Sequence, residues 1–375
     1  MTSSERHEAR YQRRKQKRLE KRALRTAEHD KFENLTDTQK LYRSYVEMGK
    51  AIKWKMSYQL FGMSIVPNIY NIIDILEAGE IVTDGYKEFT ICERGKTRHI
   101  QSPSVREKVV QKTLCNYILK PVLIPTLIYD NGASLKGKGV DFARKRLVWH
   151  LSEFYRRYGK DGYVLTLDIH NYFASINHTV MLAMNFKYIK NPRVQSVIAQ
   201  YTRLTQGMGI GNEMSQIEAV FYANPIDHWI KDRARMRWYG RYMDDSYIIA
   251  HTREELEYCL AHIQKLCAVL RLTLNEKKVR IIPLSNGFTF LKTRYQFVDS
   301  GKVLRCGGRE SAKRERHKLR AFSRNVRDGI MTSKQAADEY KSWRKSMLKH
   351  FDCWKYIRAN DKLYMEVLFY DAFHS

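Results

Sequence analysis

Apolar positions along this chain recur with two periods, and the changes between them outline its elements. Leu256, Leu260, Ile263, Cys267 and Leu270 follow the i, i+4, i+7, i+11, i+14 spacing of one helical face. Val109, Val110, Leu114, Tyr117 and Ile118 also recur at helical spacing. Short apolar runs read as strands from Tyr163 to Leu167, Trp238 to Met243 and Tyr247 to Ala250. Phe89 to Ile100 reads as two strands around a Gly95 turn, and Ser285-Asn286-Gly287 opens a second hairpin, Phe288 to Phe297. A helix is predicted from Ile210 to about residue 236, with Pro225 placed to kink or break it. Asn131-Gly132 and Lys136 to Gly139 are loop signals. After Gly301 the pattern predicts two basic helices over residues 311–350, with Gly329 near the end of the first and Ser333 as cap of the second.

Composition adds a partner class. The 375 residues suffice for one large domain or two to three small ones, and 43% hydrophobic content supports a core. A balance of 67 Lys and Arg against 40 Asp and Glu leaves +27, a field that attracts polyanions and releases their counterions. Nucleic acid is therefore the expected partner, and no membrane association is expected because no apolar run approaches spanning length. The charged N-terminus does not read as a signal peptide. Six scattered cysteines without Cys-x-x-Cys or paired His spacing argue against a zinc site or disulfide framework, and for a reducing cytosol. Cys259 and Cys267 fall on the apolar side of their helix as core residues. Residues 5–26 are dominated by Arg and Lys: a basic helix or arm that orders on nucleic acid, or a solvated tail.

The chemistry concentrates on three aspartates. Asp168 ends the run Tyr163 to Leu167, and Tyr242-Met243-Asp244-Asp245 lies between two strand-like runs. Adjacent carboxylates at a hairpin tip, joined by one at a neighbouring strand end, can hold two divalent cations for nucleotidyl transfer. Hard oxygens suit Mg²⁺, with Mn²⁺ as a substitute. The backbone carbonyl of Ile169 can add a ligand. Phe173, five residues after Asp168, is placed to stack under an incoming sugar and collide with a 2′-hydroxyl; taken alone it would be a core aromatic. Gly211 permits close backbone approach, and Ser215 or Gln216 can contact base or sugar. Lys278, beside Lys277, could protonate or balance the leaving pyrophosphate, or be part of a solvated basic pair. Lys96 and Arg98 could grip a triphosphate.

Taken in order, these pieces resemble a reverse transcriptase, from roughly Arg94 to Tyr295. In that resemblance Lys96 and Arg98 form the basic fingers hairpin, Asp168 to Phe173 motif A, and Gly211 to Gln216 motif B. Tyr242 to Asp245 would be motif C, Asn275 to Lys278 motif D and Phe290-Leu291 motif E. The resemblance implies an α+β right-hand polymerase fold of fingers, palm and thumb, with a basic N-terminal extension. The expected divisions are an arm over 1–30, fingers with the first part of the palm over 31–160, palm over 161–300 and thumb over 301–375. It also implies metal ligation by Asp168, Asp244 and Asp245, catalysis by these and Lys278, and nucleotide contact by Tyr242. Phe290, Leu291, Lys313, Arg314, Arg316, Lys318 and Arg320 would contact nucleic acid.

Ile210-Gly211-x-x-x-Ser215-Gln216 looks like motif B of diversity-generating retroelement enzymes. Val220, Met243 and Lys292 depart from the common pattern and point to a neighbouring phage-borne or antiphage-defence group. Either reading makes a structured RNA the template, dNTPs the substrates and DNA the product, in the cytoplasm of a bacterial or phage-infected cell, and leaves room for a small accessory protein. An RNA-dependent RNA polymerase is disfavoured by Phe173 where a second aspartate is usual. A non-catalytic RNA-binding scaffold is disfavoured by the three intact carboxylates.

Overall fold

The computed structural model describes residues 2–93, 96–204, 207–209, 213–352 and 354–368. The chain divides into two compact units, each assembled from separated segments. Met1–Gly137, Ile169–Ala234 and Ala261–Leu274 form one; Lys138–Asp168, Arg235–Leu260 and Asn275–Ser375 form the other.

Among its described residues the first unit is mainly helical, with an antiparallel hairpin, β1 (Lys87–Glu93) and β2 (Lys96–Ser102), paired from Lys87 opposite Ser102 to Glu93 opposite Lys96. The expected helical face is buried at Val109, Val110, Leu114 and Ile118. It does not stay on one α-helix: Val105–Leu114 passes into a π-helical turn, Cys115–Leu119, which widens the spacing. The helix expected to reach residue 236 is three pieces, Glu213–Tyr222, Asn224–His228 and a π-helical turn, Trp229–Arg233. Pro225 explains the break. It has no N–H to donate, so it is tolerated in a first turn and not in a helix interior.

The second unit carries a four-stranded antiparallel sheet in the order β4-β5-β3-β6, from β3 (Tyr163–Leu167), β4 (Trp238–Tyr242), β5 (Asp245–Ala250) and β6 (Arg280–Pro283). Its core joins Leu147, Leu151 and Phe154 of the helix Val140–Tyr158 to Val164, Tyr247 and Ile249 of the sheet. The same core takes in Phe288, Phe290 and Tyr295 from a three-stranded sheet of β7 (Phe288–Phe290), β8 (Thr293–Phe297) and β9 (Val303–Cys306). Glu153 ties the helix to the sheet edge by accepting from the Trp238 indole at 3.2 Å.

Three helices follow, Arg309–Arg327, Ser333–His350 and Trp354–Leu368. The cap of the second is Thr332, not Ser333: its hydroxyl accepts from Gln335 N while Gln335 reaches back to Thr332 N at 2.9 Å, a reciprocal capping box. The third was not anticipated from the pattern; Tyr340 stacks on its Tyr364 at 4.4 Å and donates to its Asp361 at 2.7 Å. In the helix Arg253–Val269, the expected positions Leu256, Cys259, Ile263 and Cys267 are buried. Among the described residues no helix is long and apolar enough to cross a membrane.

Candidate active site

The site grows from strand register. Leu167 of β3 stands opposite Ser246 of β5, so one step further Asp168 faces Asp245. Tyr242 pairs with Asp245, leaving Met243-Asp244 as a two-residue turn. The expected strand through Met243 therefore stops one residue short, and β5 starts two residues earlier than its apolar run. Met243 has φ +54°, a conformation that favours glycine at the first central position of a tight hairpin. Arg241, 3% exposed, donates to the Met243 carbonyl at 3.1 Å and holds this turn. Sequence reasoning passed over Arg241; its signal is a charged residue inside an otherwise apolar strand.

Asp168 is buried and held on both carboxylate oxygens. Asn275 Nδ2 donates to Oδ1 at 2.9 Å and Lys278 Nζ to Oδ2 at 2.6 Å. The loop bearing these groups is fixed by backbone bonds from Asn275 N to the Asp168 carbonyl and from Lys278 N to the Asn275 carbonyl, both 2.8 Å. Thr166 adds a bond from its hydroxyl to the Lys278 carbonyl at 3.1 Å. The bond to Asp168 raises the Lys278 ammonium above its usual value and keeps it charged. Asn275 is a second residue whose role the sequence did not disclose, since nothing separates it from an ordinary turn asparagine.

Asp245 is pushed up to about 6, first by burial and then by the negative charges of Asp244 and Asp168. Three carboxylates thus crowd one ammonium. Such a cluster gains from added positive charge, and its hard oxygen donors fit a divalent cation. Among the described residues no group of three or more His, Cys, Asp or Glu side chains forms a ready metal cage. Mg²⁺ needs none, because it retains waters and substrate phosphates beside one or two carboxylates.

The other predicted site residues are placed as follows. Ile169 is buried and forms an isolated bridge with Leu274. Phe173 lies half-buried on the short helix Tyr172–Ser175, its ring edge-on to Tyr172 at 6.1 Å. Gly207, which the sequence did not single out, lies under it. Its φ is +61°, and a Cβ there would sit 2.7 Å from the carbonyl oxygens of Phe173 and Ala174. Ser215 is buried, and the Gln216 side-chain oxygen accepts from Ser134 at 3.0 Å. Tyr242 is half-buried against the second unit's core. Gly211 and the side chains of Lys96 and Arg98 lie outside the described residues.

Phe290 requires a correction. It is 4% exposed and packs edge-on against Tyr247 at 5.0 Å, so its ring is core and cannot meet a nucleic-acid strand. Leu291 and Lys292 form the hairpin tip with φ +47° and +62°, and the Leu291 carbonyl accepts from Arg144 at 2.9 Å. Lys313, Arg314, Arg316, Lys318 and Arg320 are exposed on the helix Arg309–Arg327, whose Ala312, Glu315 and Leu319 are buried.

Acidic side chains at adjacent strand ends, with a lysine countercharge, form the kind of donor set that nucleotidyl transfer requires. The model of the reverse transcriptase (RNA-dependent DNA polymerase) family matches residues 86–295, more than half of the chain. The chain belongs to that family and has its α+β fold. No curated protein matches the sequence. Similar solved structures include telomerase from Candida albicans in complex with a TWJ fragment of telomeric RNA, at 12% identity and TM-score 0.45, covering 76% of this chain and 60% of that one. Apo telomerase from Candida tropicalis, truncated from its C-terminal domain, is similar at 14% identity and TM-score 0.43, covering 56% of this chain and 53% of that one. The chain thus spans between about half and three-fifths of those two proteins.

Proposed function

We propose that this enzyme copies a structured non-coding or element-encoded RNA into cDNA, that it works with two Mg²⁺ ions held by Asp168, Asp244 and Asp245, and that it serves a diversity-generating retroelement. The observation that carries the catalytic part is the placement of Asp168 and Asp245 face to face beside Asp244, with Lys278 as countercharge. Bound Mg²⁺ supplies Lewis acidity, lowering the pKa of the primer 3′-hydroxyl and neutralising charge on pyrophosphate. Asn275 and Arg241 keep the carboxylates and the turn in place before substrate arrives. Lys278, kept charged, gives the departing pyrophosphate a positive partner or a proton. Phe173 excludes a 2′-hydroxyl, Gly211, Ser215, Gln216 and Tyr242 contact the nucleotide, and Lys96 and Arg98 hold the triphosphate. The basic face of Arg309–Arg327 follows the template–primer backbone through sequence-independent contacts, so template choice rests on RNA structure or on a small accessory protein.

The form Ile210-Gly211-x-x-x-Ser215-Gln216 supports the diversifying role. A second reading, an antiphage-defence enzyme copying its own non-coding RNA in a bacterial or phage-infected cytoplasm, is favoured by Val220, Met243 and Lys292. Sequencing the nucleic acid bound to and made by the wild type, against an Asp244→Ala/Asp245→Ala control, separates these. Metal-dependent cDNA from one RNA, with mismatches confined to template adenines, is the result expected of a diversifying enzyme. Faithful cDNA from one non-coding RNA selects the defence reading. RNA bound by both proteins with no DNA from either refutes catalysis.

A further inference from the structure

The N-terminal helix Ser3–His29 is polar almost throughout and predominantly basic. Arg10, Arg14, Lys17, Lys21 and Arg25 recur at i, i+4, i+7, i+11 and i+15, which puts them on one narrow stripe about 22 Å long. Arg10, Arg14, Lys17 and Lys21 are exposed. Glu5, Glu8 and Glu20 lie off this stripe; Glu28, at i+18 from Arg10, falls on its line beyond Arg25, so the unbroken positive run is Arg10 to Arg25. The C-terminal end of the helix is anchored within the first unit. Arg22 stacks over the Tyr188 ring at 4.0 Å, and Asp30 accepts from the backbone N–H of Asn191 at 3.0 Å and from that of Lys190. Leu19, Ala23 and Ala27 line the groove facing Lys187 to Asn191. The stripe is therefore carried on a rod fixed at one end, with the Cβ atoms of neighbouring basic residues about 5–6 Å apart, so that their long side chains can reach several phosphates of one duplex.

We infer that this stripe is a docking surface for the double-helical part of the enzyme's structured RNA, separate from the polymerising site. The inference rests on the proposed structured template, which makes RNA the duplex the enzyme must hold. Charge complementarity carries the class of ligand. A membrane surface is the poorer fit, because the stripe has no apolar face beside it to insert; Leu24 is its one large apolar neighbour.

The test uses the full chain and a hairpin RNA with a stem of about 16 base pairs, the span of typical duplex-RNA readers. The variant is Arg10→Gln/Arg14→Gln/Lys17→Gln/Lys21→Gln, because glutamine keeps helix propensity while removing charge. Binding is measured by anisotropy across KCl concentrations, and synthesis by extension of oligo(dT) on poly(rA). The expected result is weaker hairpin binding, with the slope of log K against log salt reduced by about 3 to 4, near 0.9 for each lost phosphate contact. The kcat on the homopolymer should stay unchanged, which separates this surface from the catalytic reading: an inactive wild type with an intact hairpin effect would sink the latter alone. An unchanged salt slope overturns the proposal. An equal loss on a DNA duplex of the same sequence, or a loss confined to anionic vesicles, also overturns it, by assigning the stripe to DNA or to lipid.

Discussion

Glu218 offers the sharpest quantitative test of the structure. It lies on the helix Glu213–Tyr222, is fully buried, and is pushed up to about 8 by that burial, against an ordinary glutamate value of 4.5. Asn185 Nδ2 donates to its Oε1 at 2.8 Å, yet Glu218 Oε2 and Asn185 Oδ1 both have no partner. A proton on Oε2 would let it donate to Asn185 Oδ1, so the protonated acid suits the site. The sign follows directly. The folded state holds the proton more tightly than the unfolded chain, so this group costs nothing below about pH 4.5. The cost grows as pH rises and is complete above about pH 8, where the gap corresponds to on the order of 5 kcal/mol. Glu218→Gln supplies an N–H in place of the proton and cannot ionise. Urea unfolding of both proteins should show little difference near pH 5 and a variant more stable by about 3–5 kcal/mol near pH 8. A difference that stays the same at both pH values would refute the buried protonated acid.

Three further outcomes are expected. Lys292→Gly should stabilise the second unit by about 1 kcal/mol in urea melts, because φ +62° favours glycine; no change would mean that the turn is relaxed with lysine. Gly207→Ala should lose about 2 kcal/mol or more of stability and weaken discrimination against ribonucleotides, because its Cβ collides with the backbone bearing Phe173; selectivity equal to wild type in single-nucleotide incorporation would detach Phe173 from sugar choice. Asp245→Asn should cost at least about 10³-fold in kcat yet raise the metal-free Tm, because a carboxylate repelled by Asp244 and Asp168 becomes neutral; a lower Tm without divalent ions would contradict the crowding.

Much of this architecture was legible because apolar period and turn chemistry agree. β3, β5 and the helix Arg253–Val269 are strongly patterned, and the three aspartates sit where patterned segments stop. What was missed lies in contacts between residues far apart in sequence. Asn275 is a common turn residue until its amide meets Asp168, 107 positions away. Gly207 is one glycine among several until its φ and its closeness to Phe173 single it out. Phe290 failed in the opposite direction: the motif it belongs to suggested a surface role, and packing against Tyr247 claimed the ring.

The pairing of β3 with β5 limits how the gene can vary in length. The side chains of a strand alternate faces, so inserting one residue between Tyr163 and Asp168 would turn the Asp168 carboxylate to the opposite face while leaving composition and hydrophobicity almost unaltered. A two-residue insertion would restore the face but move Asp168 along the strand, away from Asp245. In the loop between Arg327 and Ser333, by contrast, extra residues would leave every pairing in the four-stranded sheet untouched. Length variation among sequences of this kind should therefore be absent from Tyr163–Asp168 and Tyr242–Ala250 and frequent between the last helices. Insertion scanning would reveal that contrast without any knowledge of the template.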